Sequence, residues 1–238
     1  MPPSSLSRSK LIGSYLTPAI HLIADDRCDF CGLSGGPLCP PCTMILRPRS
    51  TGSCSREAAG PWSSIYTYEP PLKGWILRAK FGREPIILER IAERAVDEVE
   101  AALTELDLSP DLPLIFVPIP DPTRRRAARG FNPAALLAEL WGRALKIQTR
   151  PLLSLRGRAR APQVGRSRLE RLELPLDRFK TRGRERNIRG AQIIVIDDVV
   201  STGATLRAAR AALKAADAAY VWGLTLAAAP APTKSRAP

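Results

Sequence analysis

IIVIDDVVSTGAT, residues 193–205, is the stretch whose reading decides the fold. Ile193, Ile194, Val195 and Ile196 are consecutive apolar residues, the pattern of a strand buried on both faces of a parallel sheet. Asp197 and Asp198 stand at its C-terminal end, where ligands sit in open α/β sheets. Val199 and Val200 lead into the loop Ser201-Thr202-Gly203-Ala204-Thr205, which opens a helix. That geometry aims backbone N–H groups and the positive helix end at a phosphate, with Ser and Thr hydroxyls as further donors. Gly203 permits close backbone approach. Paired carboxylates beside such a loop can accept hydrogen bonds from a ribose diol while the loop holds the 5′-phosphate. The competing reading is an ordinary strand–turn–helix with a polar end, against which two adjacent aspartates at a buried strand's end are costly without partners.

Working outward, strands alternate with helices, which implies a parallel α/β sheet. Residues 62–68 read as a strand ended by Glu69-Pro70-Pro71. From Pro85, the residues Leu88, Ile91, Ala95, Val99, Ala102 and Leu103 share one face of a long helix. The apolar run 114–119 is a buried strand closed by Pro120. Asn132 is a natural N-cap, Pro133 suits the first helical position, and Phe131 can staple onto Leu136. A weak strand spans 152–155, and 156–190 is an Arg-rich excursion without clear periodicity. Strand 193–196 is followed by the loop, a helix to about Ala216 and a last strand at 220–226. The expected organisation is a lead-in helix at 1–24, a cysteine-rich module at 25–60, the main α/β domain at 61–228 and a disordered tail at 229–238.

The 238 residues carry a formal charge of +13, and its location matters more than its size. Residues 121–190 hold nineteen Lys/Arg against six Asp/Glu, so the whole surplus lies there. Such a field concentrates polyanions, whether a pyrophosphate-bearing metabolite or a nucleic acid. A solvated Arg-rich face is the alternative. No apolar run is long enough to span a membrane. The stretch 11–24 is interrupted by Gly13, Ser14, Thr17, Pro18 and His21 and ends in Asp25-Asp26, which argues for an amphipathic lead-in over a secretory signal.

Cys28-x2-Cys31-x7-Cys39-x2-Cys42 is a pair of CxxC knuckles at the spacing of a tetrahedral zinc site. Two disulfides are the alternative, disfavoured in a reducing cytosol. A closed shell of four thiolates leaves no open position, so the expected role is structural. Cys54 is left over as an incidental thiol, and His21 is the only histidine.

The loop at 193–205 resembles the type I phosphoribosyltransferase signature. Together with the four-cysteine knuckle, LKGWILRAKFG (72–82), VPIPDPTRRRAARGFNPAALLA (117–138) and RARAPQVGRSR (158–168), the order of motifs resembles the ComF family of competence-associated proteins over roughly 25–228. The resemblance implies a Rossmann-like phosphoribosyltransferase fold with a parallel sheet and a small zinc-ribbon-like N-terminal module. It implies binding of 5-phosphoribosyl pyrophosphate (PRPP) with Mg²⁺, a cytoplasmic location and a role in handling incoming single-stranded DNA or in meeting competence proteins. On that reading Asp197 and Asp198 take the diol, Ser201 to Thr205 the 5′-phosphate, and Arg124, Arg125 and Arg126 face the pyrophosphate, where guanidiniums bind bidentately. The segment 156–171 corresponds to a loop that closes over substrate.

Three departures qualify this. Ser201 stands where hypoxanthine-type enzymes carry an acidic residue, so that base chemistry is unsupported. Pro133 replaces the family's usual Gln after Arg-Gly-Phe-Asn, and Leu174 stands where an Asn is expected. As an enzyme, the protein would transfer the phosphoribosyl group to an acceptor the sequence leaves open, and no residue stands out as a general base. The other reading is a PRPP-binding regulator or DNA-handling factor without turnover.

Overall fold

The computed structural model describes residues 27–28, 30–34, 38–49, 61–156, 175–183 and 188–230. The lead-in helix, Cys54, His21, the greater part of the segment 156–171, Leu174 and the end of the tail lie outside them.

A parallel sheet of five strands forms the centre, in the order β1 (Trp62–Thr67), β7 (Tyr220–Ala228), β6 (Gln192–Val200), β2 (Leu114–Pro118) and β3 (Gln148–Thr149). The register pairs Pro118 with Ile196 on one side of β6 and Leu224 with Ile196 on the other. Strand alternation splits the core into two layers. Phe116, Ile194 and Ile196 face one cluster, with Trp75, Ile87, Leu88 and Trp141. Ile115, Val117, Ile193 and Val195 face the other, with Leu206, Ala209 and Leu213. The buried Trp141 indole donates to Ala92 O (3.0 Å), so its one polar atom is satisfied.

The first layer is built from α2 (Leu72–Phe81), α3 (Pro85–Arg94), α4 (Val96–Thr104) and α6 (Pro133–Leu145); the second from α7 (Ala204–Lys214). The stripe expected as one long helix from Pro85 is two, broken at Ala95, whose ψ of 1° leaves the helical region. The apolar face continues across the break, which is why periodicity alone joins them. Asn132 caps α6 as expected, accepting from Ala134 N–H at 3.0 Å. A separate antiparallel pair, β4 (Leu153–Leu155) with β5 (Phe179–Thr181), gives the weak strand at 152–155 a partner from within the Arg-rich excursion.

Strand β6 runs four residues further than its apolar core suggests. It passes through Asp197 and Asp198 and includes Val199 and Val200, because β7 pairs with it up to Val200↔Ala228. The acidic pair therefore lies within the strand, and the loop proper is Ser201 to Gly203.

The knuckle residues are continuous with this core. Cys28, Leu38, Cys39, Cys42 and Leu46 belong to the same buried cluster as Trp75 and Ile76. Phe30 meets the Trp75 ring edge-on at 5.8 Å, and Arg49 N–H donates to Ile65 O of β1 (2.8 Å).

Candidate functional site

Gly203 adopts φ +70°, the left-handed conformation that glycine takes at little cost, and this turns the chain from β6 into α7. Ser201 and Thr202 are exposed at the turn, and Thr202 Oγ1 accepts from Ala204 N–H at 3.4 Å. The first-turn N–H groups of α7 have no intrahelical acceptors, so they and the helix dipole are chemically suited to an anion. Thr205 lies in that first turn.

Beside it, Asp197 Oδ1 accepts from the Asp198 N–H at 2.9 Å. Asp197 retains some exposed surface, yet its carboxyl is enclosed; burial first, then the Asp198 charge, push it well above the ordinary carboxylate range. Asp198 forms an ion pair with Lys80 from the end of α2. Tyr68, just past β1, lies near enough that burial and then the Asp198 charge raise its phenol.

The loop after β2 supplies the opposing wall. Ile119 N–H donates to Ile196 O (2.9 Å), which sets this loop directly beside the acidic pair. Asp121 pairs with Arg129 at 3.3 Å. Burial raises the Asp121 carboxyl, against the opposing charges of Arg129, Arg125 and Lys80. Helix α5 (Thr123–Arg129) carries the three candidate arginines, and all three are exposed. They do not face one way. Arg125 lies toward Asp121 and Arg178, whereas Arg124 and Arg126 line a cleft of about 890 Å³ together with Asp121, Arg182, Asn132 and Pro118.

Three residues of this arrangement were not identified from sequence: Lys80, Asp121 and Arg178. Arg178 ends the 3-10 turn Leu176–Arg178; its Nε is buried without a hydrogen-bond partner among the described residues. Burial and then the charge of Arg125 pull its guanidinium down from its ordinary value, against the attraction of Asp197. Lys80 carried a signal, lying inside the quoted motif at 72–82 just after the buried Ala79. Arg178 carried none, being one arginine among many.

Because the Asp197 carboxyl is raised, its ionisation destabilises the fold. Its stabilising contribution is complete below the unfolded value of about 3.9 and is lost as pH rises through the higher folded value. Asp197→Asn should therefore melt above wild type at pH 8, with the gap closing as pH falls toward 5; a gap that widens on acidification would contradict the placement of this carboxyl.

At the far end, Cys28, Cys31, Cys39 and Cys42 bring four Sγ atoms within 4.8 Å of one another, all as free thiols. A ZnS₄ tetrahedron with bonds of about 2.3 Å has edges of roughly 3.8 Å, so the donor set fits a tetrahedral thiophilic ion. Gly32 at φ +72° closes the first knuckle, its N–H donating to Cys28 O (2.7 Å). The second is the short helix α1 (Pro40–Thr43), with Cys42 N–H on Cys39 O (3.0 Å). Burial would raise the Cys28 thiol, but the N–H groups of Cys39, Cys31 and Phe30 outweigh it and hold it at about 6. Burial and the neighbouring thiols push Cys42 up.

A parallel sheet whose central strand carries an acidic pair into a left-handed glycine and a helix N-terminus is arranged as in the phosphoribosyltransferase-type fold, and the phosphoribosyl transferase domain family matches residues 159–237. The chain is 32% identical over 205 residues to the competence protein ComFC of Bacillus subtilis, covering 80% of this chain and 78% of that one. It is 32% identical over 174 residues to the DNA utilization protein YhgH of Escherichia coli K12, covering 71% and 74%. The chain belongs to the ComF family. A solved adenine phosphoribosyltransferase from Trypanosoma brucei superposes with a TM-score of 0.38 at 11% identity, covering 78% of this chain and 91% of that one, a likeness too slight to carry weight.

Proposed function

We propose that this protein binds PRPP with Mg²⁺ and serves a cell in taking up or using DNA. The observation that carries the reading is the direct run from Asp197-Asp198 through Gly203 at φ +70° into the open N-terminus of α7. Ser201, Thr202, Gly203, Ala204 and Thr205 would hold the 5′-phosphate, Asp197 and Asp198 the ribose hydroxyls, and Arg125 with its neighbours Arg124 and Arg126 the pyrophosphate. Mg²⁺ supplies charge neutralisation at the pyrophosphate. Zn²⁺ in the four-cysteine cluster would be structural. The names of the two relatives, competence and DNA utilization, support the wider role, and the surplus of arginine in 121–190 suits a phosphodiester partner such as single-stranded DNA.

If turnover occurs, the protein's part is positioning and electrostatics: the phosphate loop and acidic pair orient the ribose, and the arginines stabilise charge on the departing pyrophosphate. Calorimetric titration with Mg²⁺ and PRPP tests the reading. Wild type should bind, and Thr205→Ala should bind about ten-fold more weakly, the loss of one hydrogen bond to a charged group. Absence of binding in wild type would overturn the assignment. Release of pyrophosphate in the presence of amine or base acceptors separates an enzyme from a regulator that binds PRPP without consuming it.

A further inference from the structure

We propose that the C-terminal turn of α2, Lys80 to Arg83, is a positioning element that locks the acidic pair and the arginine helix α5 into one unit, an inference that rests on the PRPP reading above. Helix α5 has only seven residues and buries none of them. So short a helix does not hold itself in place in water. Three contacts at its C-terminal end hold its position. Arg83 Nε donates to Ala128 O at 2.7 Å. The Arg129 guanidinium lies over the Phe81 ring, 5.3 Å from its centroid, and also pairs with Asp121.

The same turn reaches the acidic pair through Lys80 and Asp198. Three residues within this four-residue stretch, Lys80, Phe81 and Arg83, thus reach both walls of the site.

The local backbone is shaped for this. Phe81 is 70% exposed, an unusual place for a large ring unless it serves a surface contact. A side chain at Gly82 would place its Cβ 2.7 Å from Arg78 O, so the turn stays tight only with glycine. Arg83 sits at φ +59°, a conformation that L residues rarely take. Strain of this kind persists where surrounding contacts over-determine it.

The test compares two ligands with Mg²⁺ present: PRPP, and ribose 5-phosphate, which reaches the loop and the diol carboxylates but not the arginines. Phe81→Ala should weaken PRPP binding about three- to five-fold, the worth of an exposed cation–π contact. Phe81→Tyr should restore it. Arg83→Gly should weaken PRPP binding to a similar degree while the melting temperature stays level or rises, because glycine relieves the positive φ. Ribose 5-phosphate affinity should hold within about two-fold in each variant, short of even a weak hydrogen bond. Equal losses for both ligands, or none in the Phe81→Ala/Arg83→Gly double variant, would overturn the positioning role and leave the PRPP site standing. Wild type that binds neither ligand would overturn both.

Discussion

Replacing Lys80 with methionine is expected to lower stability by about 3 kcal/mol, a drop of roughly 6–12 °C in melting temperature for a chain of this length. Lys80 and Asp198 are 14% and 13% exposed, so their pair is nearly out of water and its loss leaves a stranded carboxylate. A surface pair would be worth a fraction of this. The neighbouring carboxyl makes matters worse, since Lys80 is the charge that holds Asp197 down against its burial and against Asp198. Two signatures follow. The deficit should shrink as pH falls and the raised Asp197 carboxyl takes up its proton. It should also be largely recovered in Lys80→Met/Asp198→Leu, because apolar replacement of both partners removes the uncompensated charge. A Lys80→Met variant that melts with wild type at pH 8 would show that the ion pair does not hold this end of α2.

Stripping the four-cysteine cluster should do more damage still. A strong chelator is expected to release one zinc ion per chain and to lower the melting temperature by roughly 10 °C or more, since structural zinc contributes on the order of 10 kcal/mol to isolated modules and part of that carries over here. The cluster is not a detachable appendage. Cys39, Cys42 and Leu46 are buried with Ile76 and Ile87 in the layer that covers β6, and Phe30 packs on Trp75. Trp75 and Lys80 belong to the same helix, so loosening the knuckle should reach the acidic pair. Metal content and melting are measured on the same sample, with Cys42→Ser as the covalent counterpart. A chain that purifies without metal and melts no lower after chelation would show the four thiols to be a reduced pair of knuckles and nothing more.

The acidic pair, the loop after it and both cysteine knuckles were legible as structure because each is a run of adjacent residues whose geometry is local. Gly203 and Gly32 take the positive φ that their turns demand, and Asn132 caps as its position suggests. What sequence did not disclose depends on pairing at a distance. The extension of β6 through Asp197 and Asp198 is imposed by β7; taken alone, a pair of acids looks like the end of a strand. Lys80 meets Asp198 only because α2 packs on the face of the sheet that Ile194 and Ile196 also line. Arg178 is set apart from the other arginines of its stretch by the pairing of Phe179 with Leu155, which no periodicity announces. The separation of Arg125 from Arg124 and Arg126 likewise follows from how α5 is seated, since consecutive helical residues do not share one direction.

The strand order β1-β7-β6-β2-β3 has a consequence for how the molecule is made. Strands β1 and β2 do not pair with each other; the gap between them is filled by β7 and β6, which both come later in the chain. A chain that ends at Ile188 therefore has the β2–β3 pair and a lone β1, neither with its partner from the centre of the sheet. The sheet is complete only once β6 and β7 pair in that gap, so a chain cut before Tyr220 leaves unpaired strand edges of the kind that aggregate.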